Sequence, residues 1–406
     1  MSATAAKPRG AGIGGWVREH RRDPNAIAYV VLLVVALVFP EFTNVFGSDQ
    51  ANLLVDQAAD AGVYVLMAIG LNVVIGFAGL LDLGYAAFFA IGAYTYGMLA
   101  SNQLAQSPIH HAIHLPFWLL LLVGIFIASL AGAALGAPTL RLRGDYLAIV
   151  TLGFGEIVPR VFKNEANWTG GVNAISAIDA PSLPAWLDGP WDGGASLQLV
   201  QPFQFNATSA IPWYVLMVGL IILAVLLVTN LQRSRLGRAW MAIREDEVAA
   251  AAMGINTRNI KLLAFSIGAA TSGFAGAFYG AKLSLVSPDN FSFTVSVTVL
   301  MMVTLGGMGN VPGVILGALL LYFIEFSVLG NLAGWVTSLT DNLGLAGAHT
   351  TISNYVSRLN FLVLGILLVS VMLLRPQGLL PSRARARELH EHTGGELANT
   401  EGAAGG

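Results

Sequence analysis

The 406-residue chain contains no cysteine, which excludes disulfide frameworks, thiolate metal sites and cysteine nucleophiles. Charge is scarce as well. Asp, Glu, Lys and Arg make up 11% of the residues, against roughly 25% in an ordinary soluble domain. No G-x-x-x-x-G-K-[ST] loop occurs, so the chain is expected neither to bind nor to hydrolyse ATP itself. His, Asp and Glu form no cluster of catalytic spacing within the apolar runs, which argues against an intramembrane enzyme. The net charge of −2 carries no nucleic-acid signature.

What the chain does have is apolar surface. Hydrophobic residues reach 55%, in runs whose length matches the hydrocarbon core of a bilayer. The predicted fold class is all-α, a polytopic transmembrane bundle of about ten spans: 27–46, 61–80, 83–100, 115–137, 145–163, 212–231, 261–283, 292–306, 311–329 and 356–374. The eighth and ninth are the least regular, because "TLGGMGNVPGVILG" interrupts the run with five glycines and a proline. Basic residues orient the bundle, since loops rich in Lys and Arg stay cytoplasmic. Seventeen of the 21 fall on one side when both termini are cytoplasmic; Arg160, Lys163, Lys282 and Arg358 are left at outer span ends. The expected organisation is a cytoplasmic tail (1–26), with the run behind it read as a retained first helix, then a permease domain (27–380). Within that domain lie a long outer loop (164–211) and an inner loop (232–260), and a basic, Gly- and Ala-rich tail (381–406) follows, read as disordered near anionic lipid.

Glycine is abundant and sits inside the spans. Small residues let helices approach where lipid supplies no hydrophobic drive between them, and Gly276 with Gly280 gives the small-xxx-small spacing of a packing seam. The inner loop "RSRLGRAWMAIREDEVAAAAMGIN" (233–256) gathers four arginines and three acids. Its basic half accounts for retention in the cytoplasm. Its second half predicts a helix of about seven residues, with Asp246 as N-cap, Glu247 in the first turn and Gly254 in the left-handed position past the end. Such a helix is marginal alone and needs a surface to pack on, whether its own bundle, lipid or a partner.

The stretch "EVAAAAMGI" (247–255) resembles the coupling loop of ABC importer permeases. "GLNVVIGFAGLLDLGYAAFFAIGAYTYGML" (70–99), "LRLRGDYLAIVTLGFGEIV" (140–158), "TGGVNAI" (169–175), "LLAFSIGAATSGFAGAFYG" (262–280), "LGGMGNVPGVILGALLL" (305–321) and "RPQGLL" (375–380) resemble, in order, the branched-chain amino acid permeases of the LivM type. The likeness runs from about Asn25 to Leu380. It departs at Leu81, Asp82 and Tyr85, where the family commonly has a polar pair followed by His. The resemblance implies a translocation subunit for leucine, isoleucine and valine, not an enzyme, in the inner (cytoplasmic) membrane. It also implies a LivH-like second permease, two ABC ATPase subunits that use ATP and Mg, and an extracytoplasmic substrate-binding protein; no cofactor is expected on this chain. Arg244, Asp246, Glu247, Ala250, Ala251 and Gly254 are then the ATPase-coupling candidates. A urea or short-chain amide importer shares the same signatures, and a stand-alone channel or secondary transporter is a further reading.

Intramembrane polar residues are the remaining candidates, for translocation path or gating. Glu156 and Arg160 share a helix face four residues apart, with a structural ion pair as the competing reading. Asn72, Ser266 and Glu325 stand within spans two, seven and nine. His110, His111 and His114 have metal-compatible spacing but no acid near them in sequence, and are read as a solvated outer loop.

Overall fold

In the computed structural model, residues 24–43, 48–108, 110–140, 145–181 and 210–331 are described, with single positions at 142, 205, 334 and 338 and several between 362 and 380. The 1–23 part of the N-terminal tail, most of the outer loop 164–211, most of the tenth span and the 381–406 tail lie outside the described residues.

The chain divides into two units, Met1–Ala51 and Asn52–Gly406. In the first, helix α1 (Pro24–Thr43) is apolar on every face: Val30, Val31, Val34, Val35, Leu37 and Val38 are all exposed. A helix that is hydrophobic all round suits lipid rather than water. Pro40 sits in its last turns, and the Thr43 hydroxyl donates to the Pro40 carbonyl at 2.7 Å.

Helix α2 (Ser48–Leu71) runs on into a π-helical segment, Asn72–Phe77. It begins 13 residues before the expected second span. The polar stretch around Asp56 and Asp60, outside the expected spans, is helical, and these residues face a partner within the bundle, as described below. A turn at 78–84 leads to α3 (Tyr85–Leu99), and a single helical turn, α4 (Gln103–Gln106), precedes α5 (Phe117–Thr139). Helix α6 (Asp145–Asn164) and the short α7 (Ala166–Thr169) follow. Beyond the outer segment come α8 (Ala210–Arg233), α9 (Arg235–Glu245), α10 (Glu247–Ala252) and α11 (Thr257–Leu283). Then α12 (Phe293–Gly306) and α13 (Val311–Tyr322) form a hairpin, α13 passing into a second π-helical segment, Phe323–Leu329.

The centre is built from α3, α5 and α11. A Cβ added at Gly92 of α3 would fall inside the van der Waals surface of the Gly273 carbonyl on α11, and one at Gly273 would collide with Ala128 of α5. Gly276 meets the Phe89 carbonyl in the same way. The backbones therefore touch, and the glycine seam legible in the sequence is this contact. Tyr85, fully enclosed, donates its hydroxyl to the Gly268 carbonyl at 2.9 Å and pins α3 to α11.

Among the described residues, four helices are long and apolar enough to cross a membrane: Gln50–Phe77, Phe117–Thr139, Ala210–Arg233 and Thr257–Leu283. Ile27–Thr43, Phe293–Gly306 and Val311–Phe326 are apolar but shorter. The 14 residues of α12 extend about 21 Å, so the eighth predicted span is shorter than a hydrocarbon core. Glycines 306, 313 and 317 let α12 and α13 touch along their backbones.

Among the described residues there are also two small antiparallel ladders. One pairs β1 (Ala100–Ser101) with β2 (Ile113–His114), and the other pairs β3 (Ile175–Ser176) with β4 (Leu285–Val286). They follow the C-terminal ends of α3 and α11, at the end of the bundle away from the 234–256 loop. His114 is paired there: its Nδ1 lies 2.5 Å from Asp179 Oδ2 and its Nε2 3.1 Å from Asn102 Oδ1. The acid missing near these histidines in sequence comes from 65 residues further on.

Candidate functional site

The 233–256 loop is two helices rather than one. Ser234 caps α9, its Oγ accepting from the Leu236 and Gly237 amides. Trp240 is fully buried and donates Nε1–H to the Ile260 carbonyl at 2.7 Å. Arg244 reaches out of the loop and donates Nη1–H to the Gly76 carbonyl at 2.5 Å, at the π-helical end of α2. The basic half thus does more than retain the loop on one side: α9 fastens the loop to two spans.

Helix α10 has the ends expected from its sequence. Asp246 Oδ1 accepts from the Val248 and Ala249 amides at 2.8 and 3.0 Å. At the other end Gly254, at φ +84°, closes a 6→1 and 5→2 pair: the Ile255 amide donates to the Ala250 carbonyl and the Gly254 amide to the Ala251 carbonyl. The helix is six residues long, too short to persist without a packing surface. Two features supply that surface. Ala250 is buried, and Glu247 Oε1 lies 2.7 Å from Nζ of Lys261, which is itself nearly enclosed at the start of α11.

The coupling candidates therefore separate by direction. Arg244, Glu247 and Ala250 point into the chain. Ala251 and Gly254 are exposed, alongside Val248 (70% exposed) and Met253 (84% exposed), two apolar side chains that sequence reasoning passed over. A six-residue helix that presents valine, alanine and methionine outward, with its polar ends already satisfied, offers a small apolar knob.

Above this loop a chain of contacts crosses the bundle. Asn72, fully buried where α2 turns π-helical, accepts the Gly309 amide at 2.8 Å and so holds the α12–α13 turn against the first π segment. The same turn binds residues 379 and 380: the Leu379 and Leu380 amides donate to the Leu305 and Gly306 carbonyls, and Asn310 Nδ2 donates to the Leu380 carbonyl. The "LGGMGN" motif thus meets the "LL" that closes the "RPQGLL" motif, about 70 residues further on.

In the turn between α2 and α3, Asp82 is almost wholly buried and its Oδ1 accepts the Gly84 amide at 2.9 Å. Burial pushes its carboxyl up to about 7, against the opposing pull of the Gly84 amide and the Thr151 hydroxyl. The acid that departs from the family pattern is a buried brace of this turn.

The remaining path candidates separate similarly. Glu156 and Arg160 pair at 3.3 Å on an exposed face of α6, beside a recess also lined by Lys163, Pro288, Asp289 and Ser292. Ser266 spends its hydroxyl on the Leu262 carbonyl of its own helix at 2.9 Å. Glu325, in the second π segment, accepts from the Thr298 hydroxyl at 3.5 Å through Oε1, while Oε2 is enclosed without a hydrogen-bond partner.

Sequence reasoning missed the polar group that adjoins Glu325. Lys282 Nζ contacts Asp56 Oδ1 at 2.9 Å, the Asp56 carbonyl at 2.9 Å and Asp60 Oδ1 at 2.6 Å. Tyr64 and Tyr322, ring centroids 5.5 Å apart, lie within electrostatic reach of both Asp60 and Glu325. The signal was present as Asp56, Asp60 and Tyr64 at four-residue spacing; it was hidden because the span was taken to start at 61.

Comparison with known proteins gives this geometry its context. Residues 53–372 match the family described as "Branched-chain amino acid transport system / permease component". The chain is 38% identical over 359 residues to the high-affinity branched-chain amino acid transport system permease protein LivM of Escherichia coli K12, covering 87% of this chain and 74% of that protein. A LivM permease of Methanocaldococcus jannaschii is 25% identical over 347 residues, covering 79% of this chain and 91% of its own. LivH of Salmonella typhimurium is 28% identical over 268 residues, 64% of this chain and 80% of the relative. No solved structure matches the chain. With its multi-pass helical bundle and a match over most of its length, the chain belongs to the branched-chain amino acid transport system permease family.

Proposed function

We propose that the chain is a translocation subunit of an ABC importer that moves leucine, isoleucine and valine into the cytoplasm. In this reading it crosses the inner membrane about ten times with both termini cytoplasmic. It pairs with a LivH-like permease, receives substrate from an extracytoplasmic binding protein, and couples through the 233–256 loop to two ATPase subunits that bind the ATP and Mg. Identity of 38% to a LivM permease supports the substrate class. The observation that carries the coupling role is α10, a capped helix with Val248 and Met253 exposed beside Trp240, Arg244 and Glu247, which anchor the loop to the ends of α2 and α11.

Mechanically, a push on α10 is passed to α11 by the Glu247–Lys261 pair and to α2 by the Arg244–Gly76 bond. From α2, Asn72 passes it to the α12–α13 turn. Nucleotide drives this only to the extent that the ATPases favour one permease conformation over the other. Uptake of labelled leucine into cells that depend on this system is the test. Wild-type chain restores uptake, while Met253→Asp, which places a charge on the exposed face, lowers it at least tenfold with normal insertion. Restoration of urea uptake without leucine uptake, or full leucine uptake by Met253→Asp, contradicts the reading.

A further inference from the structure

The polar group around Lys282 lies where a bilayer-crossing chain has reason to avoid charge. Asp56 and Asp60 are in the apolar span Gln50–Phe77, Lys282 is in the span Thr257–Leu283, and Glu325 is in the apolar helix Val311–Phe326. Ionisable groups at such positions face protein or a water-filled path rather than lipid, and mark sites of function. Yet the Asp56 and Asp60 side chains are 49% and 30% exposed, while that of Lys282 is 5% exposed. The acids are open to something outside the chain, and the cation is not.

Counting donors and acceptors shows what that something is. Lys282 donates to the Asp56 carbonyl at 2.9 Å and to Asp60 Oδ1 at 2.6 Å, and its Nζ pairs with Asp56 Oδ1 at 2.9 Å. Nearly enclosed, it is turned toward those acids rather than outward. Each aspartate retains a second carboxylate oxygen, and Glu325 retains Oε2, enclosed and unpartnered. Three carboxylates stand against one ammonium, so the group is rich in acceptors and poor in donors, which suits a ligand that brings N–H donors and positive charge. Three rings adjoin it: Tyr64 with Tyr322 and with Phe326, centroids 5.5 Å apart in each case, and Tyr322 stacked on Phe326 at 4.5 Å. Aromatic faces attract ammonium groups and also accept an apolar side chain.

We propose that Asp56, Asp60, Tyr64, Tyr322 and Glu325 form a station for the ammonium end of an apolar amino acid on its way through the permease, with Lys282 as the positioning residue that holds the two aspartates. The station rests on the amino-acid importer reading above. Glu325 contributes its enclosed, unpartnered Oε2, and the ring triad receives the side chain. Glu325 lies in a π-helical segment, a device common at functional positions.

The test uses the assembled transporter purified in detergent without the binding protein, so that the binding protein's selectivity does not enter. Thermal shift is read with leucine and with 4-methylpentanoate, the same side chain and carboxylate without the amine. Leucine raises the midpoint of the wild type and 4-methylpentanoate does not. Glu325→Gln, isosteric and touching only Thr298 among the described contacts, abolishes the leucine shift without moving the ligand-free midpoint. In vesicles reconstituted with ATP inside and the binding protein added outside, it lowers leucine uptake at least tenfold. Asp60→Asn does the same to the leucine response, with a lower ligand-free midpoint because Lys282 loses a partner. Equal shifts from the two ligands in the wild type, or wild-type leucine shift and uptake in Glu325→Gln, overturn the station. Absence of leucine uptake by the wild-type vesicles overturns the importer reading itself, which separates the two failures.

Discussion

Asp82 illustrates how a single buried acid ties the chain's stability to pH. Its carboxyl is raised from an ordinary 3.8 to about 7, mainly by burial, so the folded state holds a proton that the unfolded chain releases. The sign follows: this contribution is fully present below the unfolded value and is lost as the pH rises through the folded one. Asparagine retains an oxygen for the Gly84 amide and carries no charge. We expect Asp82→Asn to match the wild-type thermal midpoint at about pH 4 and to exceed it at about pH 8, measured on purified chain across that range; equal differences at both ends contradict the assignment. Glu247 teaches a related lesson. It was legible as an acid in the first turn of a helix, but its partner Lys261, 14 positions away and nearly enclosed, was not. Removing Glu247 leaves a buried cation, at a cost on the order of 2 kcal/mol after allowance for partial exposure. Loss of function in a Glu247 variant therefore mixes loop stability with docking. Val248 and Met253, exposed and without structural duty, report docking alone.

Among elements, the helices with the plainest apolar runs matched their expected ranges closely, as at α5 and α8, and so did the amphipathic α6. The misplacement of α2 arose because apolarity was used to find its start, whereas Asp56 and Asp60 are satisfied by Lys282 more than 200 residues away. Partners that distant leave no local trace. The two π-helical segments, Asn72–Phe77 and Phe323–Leu329, were equally invisible in the sequence. The glycine seam, by contrast, was written locally in small-residue spacing. It also makes a contrast that can be measured. Gly273→Val inserts a branched side chain between α11, α3 and α5, and overpacking of this kind costs at least 1–3 kcal/mol by rough precedent. Gly219→Ala on α8, where a Cβ meets nothing within 4 Å, should instead gain roughly 0.5–1 kcal/mol in helix propensity. Thermal unfolding of the two variants in detergent checks both, and comparable midpoints contradict the backbone contact described for the seam.

At the scale of the whole molecule, the described residues place two kinds of chemistry at opposite ends of α11. Near its start lie Trp240, Lys261 and the exposed knob of α10; near its end lie Lys282 and the carboxylates of the proposed station. At 27 residues the helix spans about 40 Å, so one element joins the surface that would sense the ATPases to the site that would hold the cargo. The central claim is that α10 meets an ATPase subunit, and the absence of cysteine gives it a direct measurement. Met253→Cys introduces the chain's only thiol on the exposed face of α10, and Asn102→Cys places one at the opposite end. With a short thiol-to-amine cross-linker in membranes of the assembled transporter, the account predicts that Met253→Cys joins the ATPase subunit, more strongly when ATP is bound, and that Asn102→Cys does not. Failure of Met253→Cys to join the ATPase under any nucleotide condition, or equal joining from both positions, would contradict it.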